Sequence, residues 1–485
     1  MAESAVAAAL YGVETLAEGV VLAAKGLYDP TLPLQLSFEK ITTVPVARTS
    51  HSIVVIKNRA YIFGGESAPG TRATNDVQLV ELPTSDVGES ADQKTVEARP
   101  AEEDGRVPEE RIDHAAVAID DCFYMLGGRT SSSSTEPLEE DGRVWMFSTK
   151  TSMWSCLQPI AQSPKPPPRY NFAIAASVQP EISTMPTDHD TAPQFPPDPA
   201  NVVPEPLDPS HRGTIVVSCG NSVGGTLLND CWAFDIRSRT WSPLPPPQDD
   251  PALACYSSSL ALDDNELKLY SCFGRTNSGD LLHMRTLDLE AKSSPPPAST
   301  QDNAASTFTP CSILSAASSD WQDATSKSPS TSPTPRSAAS LIPVTTGQGR
   351  TYLLALGGHS TSASPSAASP LNASSTQFAE LELVPHGDAF AYQLPSESAT
   401  AAGAKDVARK ALRSDSAEGK WAEVKYLDGE VKMVQEGQAG RGFGKRMRFA
   451  AAKASEVDGG SVVVWGGVDE KGQVCGDGWI VSVKS

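Results

Sequence analysis

Two short stretches decide how this chain folds: Asp477-Gly478-Trp479-Ile480-Val481-Ser482-Val483 and Leu36-Ser37-Phe38-Glu39-Lys40-Ile41. The first alternates like a strand, with no later segment to cover its outer edge. The second is a strand-like run that belongs to no complete repeat of its own. Pairing the two closes a ring and removes the weakest edge a stacked row of sheets would have.

The ring follows from a unit that recurs six times. Each copy has a small-residue alternating run, an aliphatic run that stops at a glycine pair, a loop to a third strand, and an aromatic-led fourth strand. The stops are Gly64-Gly65, Gly127-Gly128, Cys219-Gly220, Phe273-Gly274, Gly357-Gly358 and Gly466-Gly467, so two copies lack the first glycine. The spacing predicts third strands over 76–82, 144–149, 231–236, 282–289, 378–383 and 478–483. Fourth strands are expected to begin at Phe38, Val96, Trp154, Trp241, Trp321 and Trp421. Short runs rich in Val, Ile, Tyr, Phe and Trp, bounded by Gly, Pro, Asn and Ser, are strands rather than helices. One four-stranded sheet cannot bury both faces, so the copies must stack or close.

Repeats of about 45 to 50 residues with a glycine doublet and a terminal tryptophan resemble kelch repeats, whose four-stranded blades build a β-propeller. The resemblance covers residues 34–485. It implies an all-β, six-bladed kelch-type propeller in which the N-terminal strand closes the last blade. Residues 1–29 are expected to add an accessory amphipathic helix: Val6, Leu10, Val13, Ala17, Val20, Ala24 and Leu27 form one stripe, and Gly12, Gly19 and Gly26 a second, bare one. That helix could dock on the ring, pair with a copy of itself or lie on a membrane; Glu14 and Glu18 on its polar face argue against the last. Inserts near 179–212, 291–335, 359–376 and 395–419, mostly rich in Ser, Ala and Pro, are expected to lack a core of their own.

A net charge of -20 and a pI near 4.8 argue against nucleic acid and anionic membranes as main partners. The eight cysteines contain no C-x-x-C pair and fall mostly inside predicted strands, as expected for a reducing compartment; we expect a cytoplasmic or nucleocytoplasmic protein. No run approaches the roughly 18 to 20 apolar residues of a membrane span.

Before the first strand of five copies stands an arginine: Arg48-Thr-Ser-His51, Arg111-Ile-Asp-His114, Arg169-Tyr-Asn-Phe172, Arg336-Ser-Ala-Ala339 and Arg446-Met-Arg-Phe449, with Leu253 or Ala254 at the break in blade four. In a propeller these positions form a ring about the channel, so the spacing predicts a cationic mouth. Glu66, Arg129, Asn221, Arg275, His359 and Val468, which follow the glycine stops, should surround it. Guanidinium forks suit carboxylates or a small anion. The competing role for each repeated arginine is to bond backbone carbonyls and hold the ring together. Arg129 and Arg275, outside that repeat position, are the better recognition candidates, and His51 and His114 read as strand residues.

These residues lead to a non-enzymatic scaffold that binds a protein or acidic peptide on the arginine-rich mouth. The alternative is an enzyme or small-molecule-binding accessory protein, with or without a metal, using the same mouth. No catalytic residue, metal ligand set or cofactor is assigned. Copper oxidases of the galactose-oxidase type need a cysteine close to a tyrosine, which Cys255-Tyr256 offers, but the histidines lack ligand spacing. The E-x-x-x-D-x-x-x-H iron motif of plant nitrile-specifier kelch proteins does not occur; Glu110-x-x-x-His114 is its nearest echo.

Overall fold

The computed structural model describes residues 31–41, 45–83, 91–102, 105–180, 212–248, 250, 253–294, 311–325, 331–347, 349–361, 383–396, 400–411, 417–426, 442–454 and 459–484. The expected helix of residues 1–29 lies outside them, as does most of the 179–212 and 359–376 inserts.

Six antiparallel sheets stand around a channel, each with its first strand innermost. Those first strands are Ser52–Ile56, Ala115–Ile119, Ala173–Ser177, Ser259–Asp263, Ser340–Thr345 and Ala450–Lys453. Blade six is completed by Gln35–Ile41, which runs antiparallel to Gly478–Lys484 with Phe38 opposite Val481 and Ile41 opposite Gly478. Closure is reinforced at the inner end, where Gly467 N–H donates to Arg48 O and the Trp465 indole donates to Val46 O. Apolar clusters fill the spaces between neighbouring blades; one joins Ile53 and Ile62 of blade one to Val463 and Trp465 of blade six. Each sheet thus buries both faces, as the repeat requires.

The glycine doublets are explained by what sits on them. A Cβ on Gly64 would lie 2.7 Å from the His114 ring of the next blade, one on Gly127 2.8 Å from the Phe172 ring and one on Gly357 2.8 Å from the Phe449 ring; His51 covers Gly466 in the same way. The fourth residue of each tetrapeptide therefore lays a ring on the first glycine of the preceding blade. The second glycine faces the tetrapeptide of its own blade: Gly65 against His51, Gly128 against His114, Gly220 against Phe172, Gly467 against Phe449. Where the first glycine is replaced, the ring is lost in exchange. Cys219 and Phe273 stand in its place, and the corresponding residues of the following blades are Ser258 and Ala339. Phe273 shares its core cluster with Ala339.

Four expectations are corrected. The third strand of blade five is Ala389–Gln393, paired with Thr351–Leu356; Leu383–Pro385 instead forms a short hairpin with His359–Thr361. Both runs alternate, and only the one able to reach the Trp421–Glu423 strand can serve as third strand. The fourth strand of blade one, Gln93–Val96, ends at Val96 rather than starting there. In blade four the third strand lengthens to Arg285–Ser294 and pairs first with Gln322–Asp323 and then with Cys311–Ala316, so part of the 291–335 insert is an ordered ribbon. Finally, the 395–419 insert contains a helix, Ala401–Ala411. Its Asp406 and the Ala402 carbonyl both accept from Arg350, with Arg409 on the same carboxylate. Buried charges paired this way pin the helix to the first hairpin of blade five.

Candidate binding face at the channel mouth

The tetrapeptides sort their residues by depth. At the first position the guanidiniums turn inward. Arg111 forks onto Glu140 at 2.9 and 2.9 Å, Arg169 onto Asp230 at 2.9 and 2.7 Å, Arg336 onto Asp388 at 2.5 and 3.0 Å, and Arg446 onto Asp477 at 2.9 and 3.5 Å. Each also donates to the backbone carbonyl of the first doublet residue of its own blade: Gly127, Cys219, Gly357 or Gly466. The indoles of Trp145, Trp232 and Trp479 complete three of these carboxylates. Burial works against the charge of Asp477, yet Arg446, the Trp479 N–H and Lys40 hold its carboxyl below the ordinary range. All four arginines are buried. They tie the entry of the first strand to the entry of the third within each blade, and the cationic ring the sequence predicts is an internal brace.

Arg48 is the exception. It is half-buried and donates to its neighbour's carbonyl, Ala47 O. In blade four the position belongs to Cys255, not Leu253 or Ala254: Gly220 N–H donates to Cys255 O as Gly65 does to Arg111 O and Gly128 to Arg169 O.

At the second position Thr49, Ile112, Tyr170, Tyr256, Ser337 and Met447 bridge to Glu66, Arg129, Asn221, Arg275, His359 and Val468. The six residues after the glycine stops are thus equivalent in the fold, and of them Arg275 and His359 line the channel. Glu66, Asn221, Arg275 and His359 are buried, and Glu66 Oε1, Asn221 Oδ1 and His359 Nδ1 have no hydrogen-bond partner among the described residues. Arg129 donates to Asp113 at 2.7 Å and to Ser134 O, and lies 4.5 Å above the Tyr170 ring. Arg275 sits 3.8 Å from Asp280, across its own short hairpin.

The third position escapes the sequence reading. Ser50, Asp113, Asn171, Ser257, Ala338 and Arg448 all take φ between 49° and 55°, a left-handed conformation that Asp and Asn tolerate best. They form the innermost rim. Around it run backbone bonds from Asp113 N to Ser50 O, Asn171 N to Asp113 O, Ser257 N to Asn171 O, Ala338 N to Ser257 O and Ser50 N to Arg448 O, at 2.7–3.1 Å. No such bond joins Arg448 to Ala338, so the collar opens between blades five and six. Arg448 is exposed there and has no carboxylate within ion-pair distance among the described residues. The repeated left-handed turn carried a signal, Asp113 and Asn171 at one repeat position, that the neighbouring arginines masked.

Two cavities meet this face. The channel encloses about 700 Å³ and is walled by the first strands, with Arg275, His359 and Arg448 at its mouth. A second, of about 1130 Å³, lies at the open seam between Val384–Asp388 and Phe443–Arg446. Burial and then Arg448 push His359 down to about 4, and burial and Arg48 push His51 down to about 3. His114 is held well below the ordinary range by burial, Arg111 and His51. At neutral pH these imidazoles are uncharged. Among the described residues no three His, Cys, Asp or Glu side chains converge as metal ligands, and no helix is long and apolar enough to cross a membrane.

Residues 35–183 match the KLHDC2/KLHL20/DRC7 kelch-repeats domain. The solved structure titled "Structure of YjhT" superposes with a TM-score of 0.50 over 94% of this chain and 99% of that one, at 13% identity, a likeness of fold. Curated relatives match over short stretches. The flagellar outer-arm dynein alpha chain of Chlamydomonas reinhardtii is 29% identical over 25% of this chain and 2% of its own length. The Rho GTPase-activating protein gacHH of Dictyostelium discoideum is 27% identical over 25% of this chain and 7% of its own. The N-(sulfonatooxy)prop-2-enimidothioate sulfolyase of Thlaspi arvense is 32% identical over 22% of this chain and 29% of its own. The chain therefore spans less than a third of each. Blade structure makes the chain a six-bladed β-propeller, and its first blades, within residues 35–183, are similar to kelch repeats.

Proposed function

We propose that this propeller is a non-enzymatic scaffold that binds an acidic segment of a protein partner at the channel mouth, on the side of blades four to six. The observation that carries this reading is Arg448. It is the rim arginine with no ion-pair partner among the described residues, at the seam where the backbone collar opens, with Arg275 and His359 facing the same mouth. Arg129 is paired with Asp113 and Arg275 with Asp280, and His359 is uncharged at neutral pH, so the unpaired positive charge at this side of the channel mouth is Arg448. A carboxylate is the group such a guanidinium holds best. Interaction through a kelch domain is the general use of the fold, and loops of very different length around a regular ring suit it.

A second reading has its own observation: a channel of about 700 Å³ is within the usual range of small-molecule sites. It is walled by the edges of six strands, whose unpaired backbone groups favour a polar ligand or water. The two readings separate in one experiment. The chain and an Arg448→Glu variant of equal melting temperature are used to capture proteins from cell extract. A scaffold loses a specific set of proteins on charge reversal; identical captures from both would remove this face from the account.

A further inference from the structure

Two positions break the sixfold repeat in the same way, and they touch. Cys219 replaces the first glycine of the doublet in blade three. Cys255 replaces the repeated arginine at the entry to blade four. Their sulfurs are 3.4 Å apart, both side chains are buried, and the backbones are already joined by Gly220 N–H to Cys255 O at 2.9 Å. In blade two the corresponding positions hold Gly127 and, across the seam in blade three, Arg169. One substitution alone would leave a thiol among ordinary repeat residues; two facing substitutions make a dithiol across a blade junction.

We propose that Cys219 and Cys255 are a peroxide-sensitive modification site whose oxidation staples blade three to blade four beneath the channel mouth. Cys219 is the attacking sulfur. The Cys255 thiol donates to it, which with Ser218 lowers the Cys219 thiol against burial; the same bond and burial push Cys255 up. The Cys219 thiolate attacks one oxygen of a hydroperoxide, breaking the O–O bond and releasing an alkoxide, or hydroxide from hydrogen peroxide, which takes up a proton. The resulting sulfenic acid is attacked by the Cys255 sulfur; the S–S bond forms, the S–O bond breaks, and water leaves with the Cys255 proton. The two electrons removed from the thiols reduce the peroxide. Burial restricts the oxidant to a small molecule, and the sulfurs need to move only from contact to bonding distance. The product fixes the Cys219–Gly220 turn, and with it Asn221 in the rim, to Tyr256 and Ser257.

The full chain is treated with hydrogen peroxide, quenched, denatured, alkylated and mapped by mass spectrometry. We expect a Cys219–Cys255 cross-linked peptide that disappears with dithiothreitol, together with a rise in melting temperature reversed by the same reductant. Cys219→Gly, which restores the glycine of the repeat, should fold normally and show neither. The proposal is overturned if both thiols remain alkylatable while the half-buried Cys156 or Cys475 is oxidised. It is overturned equally if Cys219 cross-links instead to Cys231, the nearby thiol on the adjoining third strand, or if Cys219→Gly keeps the reversible thermal shift.

Discussion

Phe273 stands where four other blades have glycine, and Ala339, in the next blade, stands where those blades receive the ring of His51, His114, Phe172 or Phe449. The bulk at each blade junction is conserved in total and exchanged in position. Packed interiors behave this way, since lost volume and surplus volume both cost stability.

Phe273→Gly should destabilise the chain by about 3–5 kcal/mol, the range for removing a buried aromatic ring. Ala339→Phe alone should also destabilise, by about 1–3 kcal/mol of overpacking. The double variant should be more stable than the sum of the two implies, by about 0.5–3 kcal/mol of coupling. Urea unfolding of the four proteins measures the coupling term, and a value of zero would break the exchange.

The arginine braces give a second expectation. Arg336→Ala removes a buried guanidinium and leaves the half-buried Asp388 carboxylate and the Gly357 carbonyl without their donor, and should cost about 1–3 kcal/mol. Arg48, which has no carboxylate partner among the described residues, should cost no more than about 1 kcal/mol when replaced by alanine. The comparison asks whether the repeated arginine is worth stability only where a carboxylate stands before the third strand.

Acid sensitivity follows from the buried imidazoles. His51 and His359 have folded-state values of about 3 and about 4, below the ordinary 6.5. Between those values and 6.5 the unfolded chain binds more protons than the folded one. Their stabilising contribution is therefore complete above pH 6.5 and is lost as pH falls through that window. His51→Phe/His114→Phe uses the residue that other blades carry at this position. Its melting temperature should fall less steeply than wild type between pH 6.5 and 4.

Most of the architecture was legible because it is repeated. Doublets, tryptophans and the Leu36–Ile41 strand each mark the same place in successive blades, and ring closure followed from pairing Phe38 with the last copy. What was missed is what the repeat does not carry. The Ala401–Ala411 helix is held by Arg350 from another hairpin, and the Cys311–Ala316 strand exists because its partner was extended. At the mouth, Arg111, Arg169, Arg336 and Arg446 stood out as charges, but their carboxylates lie 29, 61, 52 and 31 residues away. That distance hid the brace and left Arg448, two residues on, in the shadow of Arg446.

Closure supplies a further expectation. Leu36 is fully buried in the closing strand and packs among Val462, Val481 and Tyr352. Leu36→Ala should cost about 2–5 kcal/mol although it lies in a strand contributed from the far end of the sequence. Chemical denaturation checks the value, and a loss below about 0.5 kcal/mol would mean that the ring does not depend on this strand.

The repeated arginines brace the blades, whereas we propose that Arg448 serves the binding face. The most direct test compares partner capture by the wild-type chain, Arg448→Glu and Arg59→Glu, the last reversing an exposed charge at the 1–2 turn of blade one. Arg448→Glu should lose captured proteins that Arg59→Glu retains, with all three chains equally folded. Equal loss in both variants, or no loss in either, would contradict it.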